Sequence, residues 1–505
     1  MAALLTDDNR SIQPHRSGAR RIGLFVLAFG SGFAVLTIEI AGARLIAPVF
    51  GLSAVPWTAV IGVILSALAL GNYIGGRLAD AGVVPLSTVL AIAGFTGLIP
   101  LFGEGLPGVA RDALGFIPGA VVTAMILFAP PVLCLGAVVP YLVQADTESL
   151  GAVGKRAGDM SAAATAGSIG GTFLTGFVLL PALPLPVLLG FTAASLLVMA
   201  VLSGRVLGRG MPEIHLLLAA LMAGALGHLV ARPDPDTLHA QQTLYSSVQV
   251  IEHEWEGGRL VREMFQNGGS SSAEYSDTGE PAHDYVRLSQ ELLGPVIQDI
   301  ESMLVLGGAA LSLPVSFQRS RPDMRIEVVE IDPVVTELAK RYFAYGEQLY
   351  PNIHIIHDDA RVYLRSTKRT FDLVYLDVFD HLLTVPWTMV TKEALVDMRE
   401  RLSPRGLFLA NVLSPVGGPG RGFLERFRAT LDEVFGDVRV YVTDSGAGPL
   451  VTQNLVVLAT QDLHVLPELG WPQTDVRAAG RMFTDSWAPV EYLQAKVFLG
   501  GLRWN

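Results

Sequence analysis

The feature that most constrains this chain is a series of long apolar runs in its first 230 residues. A helix that crosses lipid needs about 20 consecutive, mostly apolar residues, because every backbone polar group must be satisfied inside the segment. Seven runs meet that need, near Ile22–Ala43, Thr58–Leu78, Pro85–Phe102, Ala120–Val143, Ala162–Leu180, Val187–Leu202 and His215–Val230, the last two being the shortest. The whole 505-residue chain is half hydrophobic and only 16% charged, with a mean hydropathy of +0.44, far too apolar for a soluble protein of this length. The first run continues into Glu39, Arg44 and Pro48 rather than into a small-residue cleavage site, so it reads as a span and not as a signal peptide.

Basic residues set the orientation. Arg10, Arg16, Arg20 and Arg21 precede the first span, Arg77 follows the second, Lys155 and Arg156 the fourth, Arg205 and Arg209 the sixth. All fall on one side, which the positive-inside rule makes cytoplasmic together with the amino terminus. Seven spans would then carry residues 235–505 across the membrane, whereas an even number would return them. The expected location is the cell membrane, with the bilayer as a partner. Glu39, Arg44, Asn72, Asp80 and Asp159 lie in or beside the spans and could line a polar path. Close helix packing through Gly71, Gly75 and Gly76 accounts for the Asn72 region without one.

Charge divides the chain at the same place. Residues 1–234 are nearly neutral, while residues 235–505 carry 24 basic and 36 acidic side chains. So acidic a segment speaks against nucleic acid, whose binding depends on basic groups neutralising phosphates. One cysteine, Cys134, leaves no disulfide, redox pair or cysteine zinc site, and the ten histidines show no metal-ligand spacing, so no metal is expected.

Past Thr243 the pattern turns to short β-rich runs. Leu244–Glu252 and Arg259–Gln266 alternate as an antiparallel hairpin, and strand-like runs follow at Met303–Leu306, Arg325–Glu330, Ile353–His357, Asp372–Leu376, Gly406–Val412, Val438–Val442 and Asn454–Ala459 with helical segments between them. The expectation is a doubly wound α/β domain over 235–505, with a small β-hairpin element before it and its ligand beyond the carboxyl ends of the strands.

The polar residues cluster at those ends. Gly307 and Gly308 open a small-residue turn after the first main strand. Glu330 ends the second, about 20 residues on, where an acid can accept both hydroxyls of a ribose; the neighbouring Asp332 reads equally as a helix cap. Asp359 and Ala360 follow the third strand, where a carboxylate could take the amino group of an adenine. Asp377 and Asp380 share the loop after the fourth. No P-loop lysine or third glycine is present for a pyrophosphate, so the set fits an adenosine ligand such as S-adenosylmethionine or its decarboxylated form.

These residues resemble the polyamine aminopropyltransferase (spermidine synthase) family, in its long membrane-fused branch. The resemblance covers roughly Tyr245 to Thr460, with Glu39–Pro48 and Gly71–Asp80 similar to the membrane part of that branch. It implies a Rossmann-like, S-adenosylmethionine methyltransferase-type domain behind a multi-pass helical membrane domain. It also implies an enzyme of spermidine biosynthesis that moves an aminopropyl group from decarboxylated S-adenosylmethionine, a co-substrate and not a prosthetic group, to putrescine. Glu330 would bind ribose, Asp359 and Ala360 the adenine, Asp377 would accept the proton and Asp380 orient the amine. Leu383–Glu393 would close over the site, and Tyr245, Ser271 and Tyr285 would lie on the substrate side.

Departures from that pattern keep other readings open. The family's Gly-Gly-Gly-Asp-Gly appears as Gly307-Gly308-Ala309-Ala310-Leu311, without the acid that holds the donor's amino group. Its Tyr-His-Glu or Tyr-Gln-Glu appears as Tyr285-Val286-Arg287. A methyltransferase-like enzyme using S-adenosylmethionine itself is the second reading, which Arg287 would favour if it faced the pocket. A transporter or sensor with a degenerate synthase domain is the third. A small-molecule amine is the expected partner, and a homodimer is compatible with the chain.

Overall fold

The structure, a computed structural model, describes residues 14–51, 54–103, 105–147, 153–208, 213–230, 235–255, 257–379, 384–460, 471 and 473–499. It falls into two compact units: Met1–Gly42 with Val60–Glu104 and Thr123–Arg232, and Ala43–Ala59 with Gly105–Val122 and Pro233–Asn505.

The first unit is helical. Among the described residues five helices are long and apolar enough to cross a membrane: Gly18–Phe50, Pro56–Ala81, Phe116–Asp146, Val153–Ala182 and Leu185–Leu207. The expected third span is a broken pair, Leu86–Phe102 with Leu106–Leu114, and the expected seventh is the shorter apolar helix Leu216–Val230. Within the first member, Gly97 ends the helix Leu86–Thr96 and Ile99–Phe102 follows as a 3₁₀ turn with Pro100 in it, ended by Gly103 where the pair breaks.

Glycine lets helix backbones in this unit touch. A Cβ on Gly71 would stand 2.1 Å from the Leu133 carbonyl oxygen, and one on Gly75 2.4 Å from Ala137 Cα, whereas Gly76 meets nothing. Gly71 and Gly75 thus take the packing role, and Asn72 donates within its own helix to Leu68 O at 3.0 Å. Asp159 pairs with Arg21 at 3.0 Å. Both polar groups are therefore accounted for by packing and ion pairing.

The second unit carries two sheets. Strands β1 (Thr237–Gln242), β2 (Ser247–Glu254), β3 (Leu260–Gln266) and β4 (Gly269–Tyr275) form an antiparallel sheet in that order. The expected hairpin is its central pair, β2 with β3. The main sheet holds β5 (Ser302–Leu306), β6 (Arg325–Glu330), β7 (Ile353–His357), β8 (Phe371–Leu376), β9 (Leu402–Ser414), β10 (Asp437–Val442) and β11 (Gln453–Thr460), in the order β10-β11-β9-β8-β5-β6-β7. Six strands run in one direction, and β11 inserts antiparallel between β9 and β10, so the sheet is mixed.

Every residue of β5 from Met303 to Leu306 is fully buried, as a central strand covered on both faces requires. Because β6 lies on one side of β5 and β8 on the other, the turn after β5 sits where the winding reverses, the place where such sheets open a ligand crevice.

Candidate active site

The carboxyl ends of β5, β6, β8 and β9 bring together four polar features. Gly307 follows β5 with φ +94°, and a Cβ there would lie 2.3 Å from the Asp377 carbonyl oxygen, so the close approach of the two loops requires glycine. Ala309 (φ 42°) and Leu311 (φ 63°) are also left-handed, at positions where the resembling loop has glycine. This is strain of the kind that collects at functional sites. The Ala310 side chain, at the position of the missing acid, is buried in the core, and its N–H donates to Ser272 Oγ at 3.1 Å.

Glu330 ends β6 and is buried. Its Oε2 accepts the N–H groups of Gly308 (3.0 Å) and Ala309 (3.1 Å), and its Oε1 that of Asp332 (2.9 Å). Burial pushes this carboxyl up and the three backbone donors oppose that shift. The strand-end acid is thereby locked to the glycine turn. Asp332 takes the cap alternative: Oδ1 accepts Val334 N–H at 3.0 Å, and Oδ2 accepts the Thr243 hydroxyl at 2.6 Å.

Asp359 is exposed and caps the helix Ala360–Ser366, its Oδ1 accepting the amides of Arg361 (2.8 Å) and Val362 (3.0 Å). Ala360 opens that helix.

Asp377 directly follows β8 and gathers two side-chain donors. Tyr285 donates its hydroxyl to Oδ2 at 2.8 Å, and Asn411 Nδ2 donates to Oδ1 at 3.0 Å. Burial raises the Asp377 carboxyl to about 6, against the lowering effect of the Asn411 and Tyr285 hydrogen bonds. Tyr285 points here because the helix Asp284–Leu293 buries Tyr285, Leu288, Ser289 and Leu292 on one face. Its phenol is held well above its ordinary value, by burial first and then by the Asp377 charge. The Asn411 amide is oriented in turn, because Asn454 Nδ2 donates to Asn411 Oδ1 at 2.9 Å and leaves Nδ2 of Asn411 for Asp377.

Asp380 and Leu383 lie outside the described residues. Farther along the expected gate, Thr391 caps the helix Lys392–Glu400 and donates to Asp485 at 2.6 Å, so that end is anchored. Ser271 Oγ turns to Met264 O at 2.9 Å, while its neighbour Ser272 reaches the glycine turn. Tyr245 is exposed, in a turn whose amides at 245 and 246 donate to Thr243 Oγ1. Arg287 is exposed and pairs with Asp284 at 2.6 Å, which removes the support it would have lent to a carboxylate-bearing ligand. Asn411, Asn454, Ser272 and Thr243 were not expected. The amide inside the apolar run Leu407–Val412 was a legible signal for Asn411. Among the described residues no group of three potential metal ligands converges.

No family model matches the chain. The polyamine aminopropyltransferase of Vibrio vulnificus is 24% identical over 282 residues, 51% of this chain and 91% of its own length. Another, from Corynebacterium efficiens, is 27% identical over 350 residues, 63% of this chain and 65% of its own, so the likeness extends beyond the α/β half. A third, from Mycobacterium tuberculosis, is 26% identical over 281 residues, 53% of each. Among solved structures, a probable spermidine synthase from Corynebacterium glutamicum overlays 54% of this chain and 97% of its own at 19% identity, with a TM-score of 0.39. The sequence likenesses support an enzyme of the aminopropyltransferase class.

Proposed function

We propose that the chain is a membrane-fused aminopropyltransferase that moves an aminopropyl group from decarboxylated S-adenosylmethionine to putrescine, giving spermidine and methylthioadenosine. The observation that carries this is the half-buried carboxylate of Asp377, raised to about 6 and held by two neutral donors at the carboxyl end of β8. A protonated amine cannot attack; a carboxylate within hydrogen-bond reach holds it and takes its proton. The amine nitrogen forms a bond to the propyl carbon, the carbon–sulfur bond breaks, its electron pair neutralises the sulfonium, and the proton passes to Asp377. Glu330 holds the ribose, Asp359 with Ala360 the adenine edge, and Gly307 and Gly308 let the backbone approach the nucleoside. Asp380, Tyr245 and Ser271 belong to the amine side in this reading.

The second reading is methyl transfer from S-adenosylmethionine, favoured by the absence of an acid at Ala310. A lysine and N-terminal methyltransferase homolog from Drosophila pseudoobscura is 27% identical over 136 residues, but only 20% of its length is covered. Calorimetry on the detergent-solubilised full chain separates the two. Decarboxylated S-adenosylmethionine is expected to bind more tightly than the carboxylated form, and Glu330→Ala to weaken both and methylthioadenosine by about tenfold or more. Preference for the carboxylated donor would replace the proposal with methyl transfer, and no binding by the folded chain would sink both.

We further propose a multi-pass cell-membrane location with the α/β half across the membrane from a cytoplasmic amino terminus. Two things support this: counting the broken pair and Leu216–Val230 as spans gives an odd number, and Ala43–Ala59, the end of the first span with the start of the second, groups with the α/β half. An alkaline phosphatase fused after residue 505 is expected to be active and a green fluorescent protein at the same site dark. The reverse pattern would place the site in the cytoplasm.

A further inference from the structure

The segment Ala43–Ala59, in the same compact unit as the α/β half, begins with the last two turns of the helix Pro14–Phe50. Two contacts fasten it. Arg44 Nη2 donates to Leu244 O at 2.9 Å, and the Pro48 carbonyl sits where a Cβ on Gly268 (φ +79°) would come within 2.7 Å, so the β3–β4 turn can lie there only as glycine.

Leu244 belongs to the turn 243–246, which is wrapped around one side chain. Thr243 Oγ1 accepts the amides of Tyr245 (3.0 Å) and Ser246 (2.9 Å) and donates to Asp332 Oδ2 at 2.6 Å. The Asp332 amide donates to Glu330 Oε1, and Glu330 Oε2 holds the glycine turn through Gly308 and Ala309. The guanidinium of Arg44 and the Asp332 carboxylate also attract each other directly. A continuous line of hydrogen bonds therefore runs from the end of the first helix to the strand-end acid. Nη1 of Arg44 is buried without a hydrogen-bond partner.

We infer that Arg44 is a positioning residue for the nucleoside end of the site: it clamps the turn 243–246 and, through Thr243 and Asp332, fixes Glu330. The inference rests on the reading of Glu330 as the ribose acid. One consequence follows: the segment Ala43–Ala59 belongs with the nucleoside end, and residues 235–505 without it are expected to bind nucleoside more weakly.

The test uses the full chain in detergent. Arg44→Ala is expected to raise KM for the sulfonium donor and Kd for methylthioadenosine about tenfold or more, the scale of losing a support behind a ligand-holding carboxylate. kcat should stay within about threefold, because Asp377 is untouched. Arg44→Lys, which keeps the charge facing Asp332, is expected to recover part of the affinity, and Arg44→Ala with Asp332→Asn to be less than additive. Hydrogen exchange provides a ligand-free arm, with faster exchange in Arg44→Ala at residues 243–246 and 330–334. A folded Arg44→Ala that binds methylthioadenosine like the parent, or exchanges like it at those residues, overturns the inference. A parent that binds no nucleoside while Arg44→Ala still loosens 330–334 overturns the ribose reading instead and leaves the clamp standing.

Discussion

Asp377→Asn is expected to lower kcat by about 10²- to 10⁴-fold, the usual contribution of a positioned general base, while the Kd for methylthioadenosine changes by less than about threefold. The substitution is nearly isosteric. Its amide oxygen can accept from one of the two donors, Asn411 or Tyr285, and the Tyr285 hydroxyl can turn to accept from the new amide nitrogen. The pocket thus stays filled and only the proton acceptor is lost. A transporter or sensor reading predicts the opposite, with function intact in Asp377→Asn and abolished in Glu39→Gln. Aminopropyl transfer by Asp377→Asn at the parental rate would remove Asp377 from the chemistry.

The pH dependence sharpens the same test. Asp377 works ionised, so kcat/KM should rise with pH through a limb near 6 and then level off. The Tyr285 hydrogen bond holds that carboxyl below where burial alone would put it. Tyr285→Phe removes the bond, the limb moves to higher pH, and activity at pH 6 falls by more than activity at pH 8. A limb that stays in place would mean that it reports some other group.

Much of this site was legible in the sequence because central parallel strands are continuous apolar runs and their ends are abrupt. Val328-Val329-Glu330 and Tyr375-Leu376-Asp377 each pass from apolar strand residues to a carboxylate in one residue, which marks the strand end. What was missed lacks such a boundary. β4 begins Gly269-Ser270-Ser271-Ser272, with no β-branched or aromatic residue to mark a strand. The antiparallel course of β11 was illegible, since a buried strand reads alike in both directions. The capping role of Asp359 was not read, because a strand-end acid and a helix-capping acid share one position; in the structure its Oδ1 caps the helix Ala360–Ser366. Arg44 read as a polar residue at a span end, and nothing in its neighbourhood pointed 200 residues ahead to Leu244.

In the helical unit, Gly167→Ala is expected to be among the most damaging single substitutions, although it adds only a methyl group. A Cβ on Gly167 would stand 1.9 Å from the Phe29 carbonyl oxygen and 2.9 Å from Phe29 Cα; reciprocally, one on Gly32 would stand 1.9 Å from the Ala164 carbonyl oxygen, and one on Gly171 2.6 Å from that of Phe33. The helices Pro14–Phe50 and Val153–Leu174 therefore meet backbone to backbone, the close approach that small residues permit between membrane helices. The obstacle is main chain rather than the end of a flexible side chain, so only a separation of the helices by roughly 1–2 Å relieves it. That forfeits the dispersion contacts along the seam and the Ser168 hydroxyl bond to Gly32 O. The cost should reach or exceed the upper end of ordinary overpacking, about 3 kcal/mol, seen as a large drop in the yield and melting temperature of detergent-extracted protein. Gly62→Ala is the matched control, since a Cβ there meets nothing within 4 Å, and the better helix propensity of alanine should stabilise it by about 0.5–1 kcal/mol. Equal melting temperatures for the two variants would show that the seam between these helices is not closed as described.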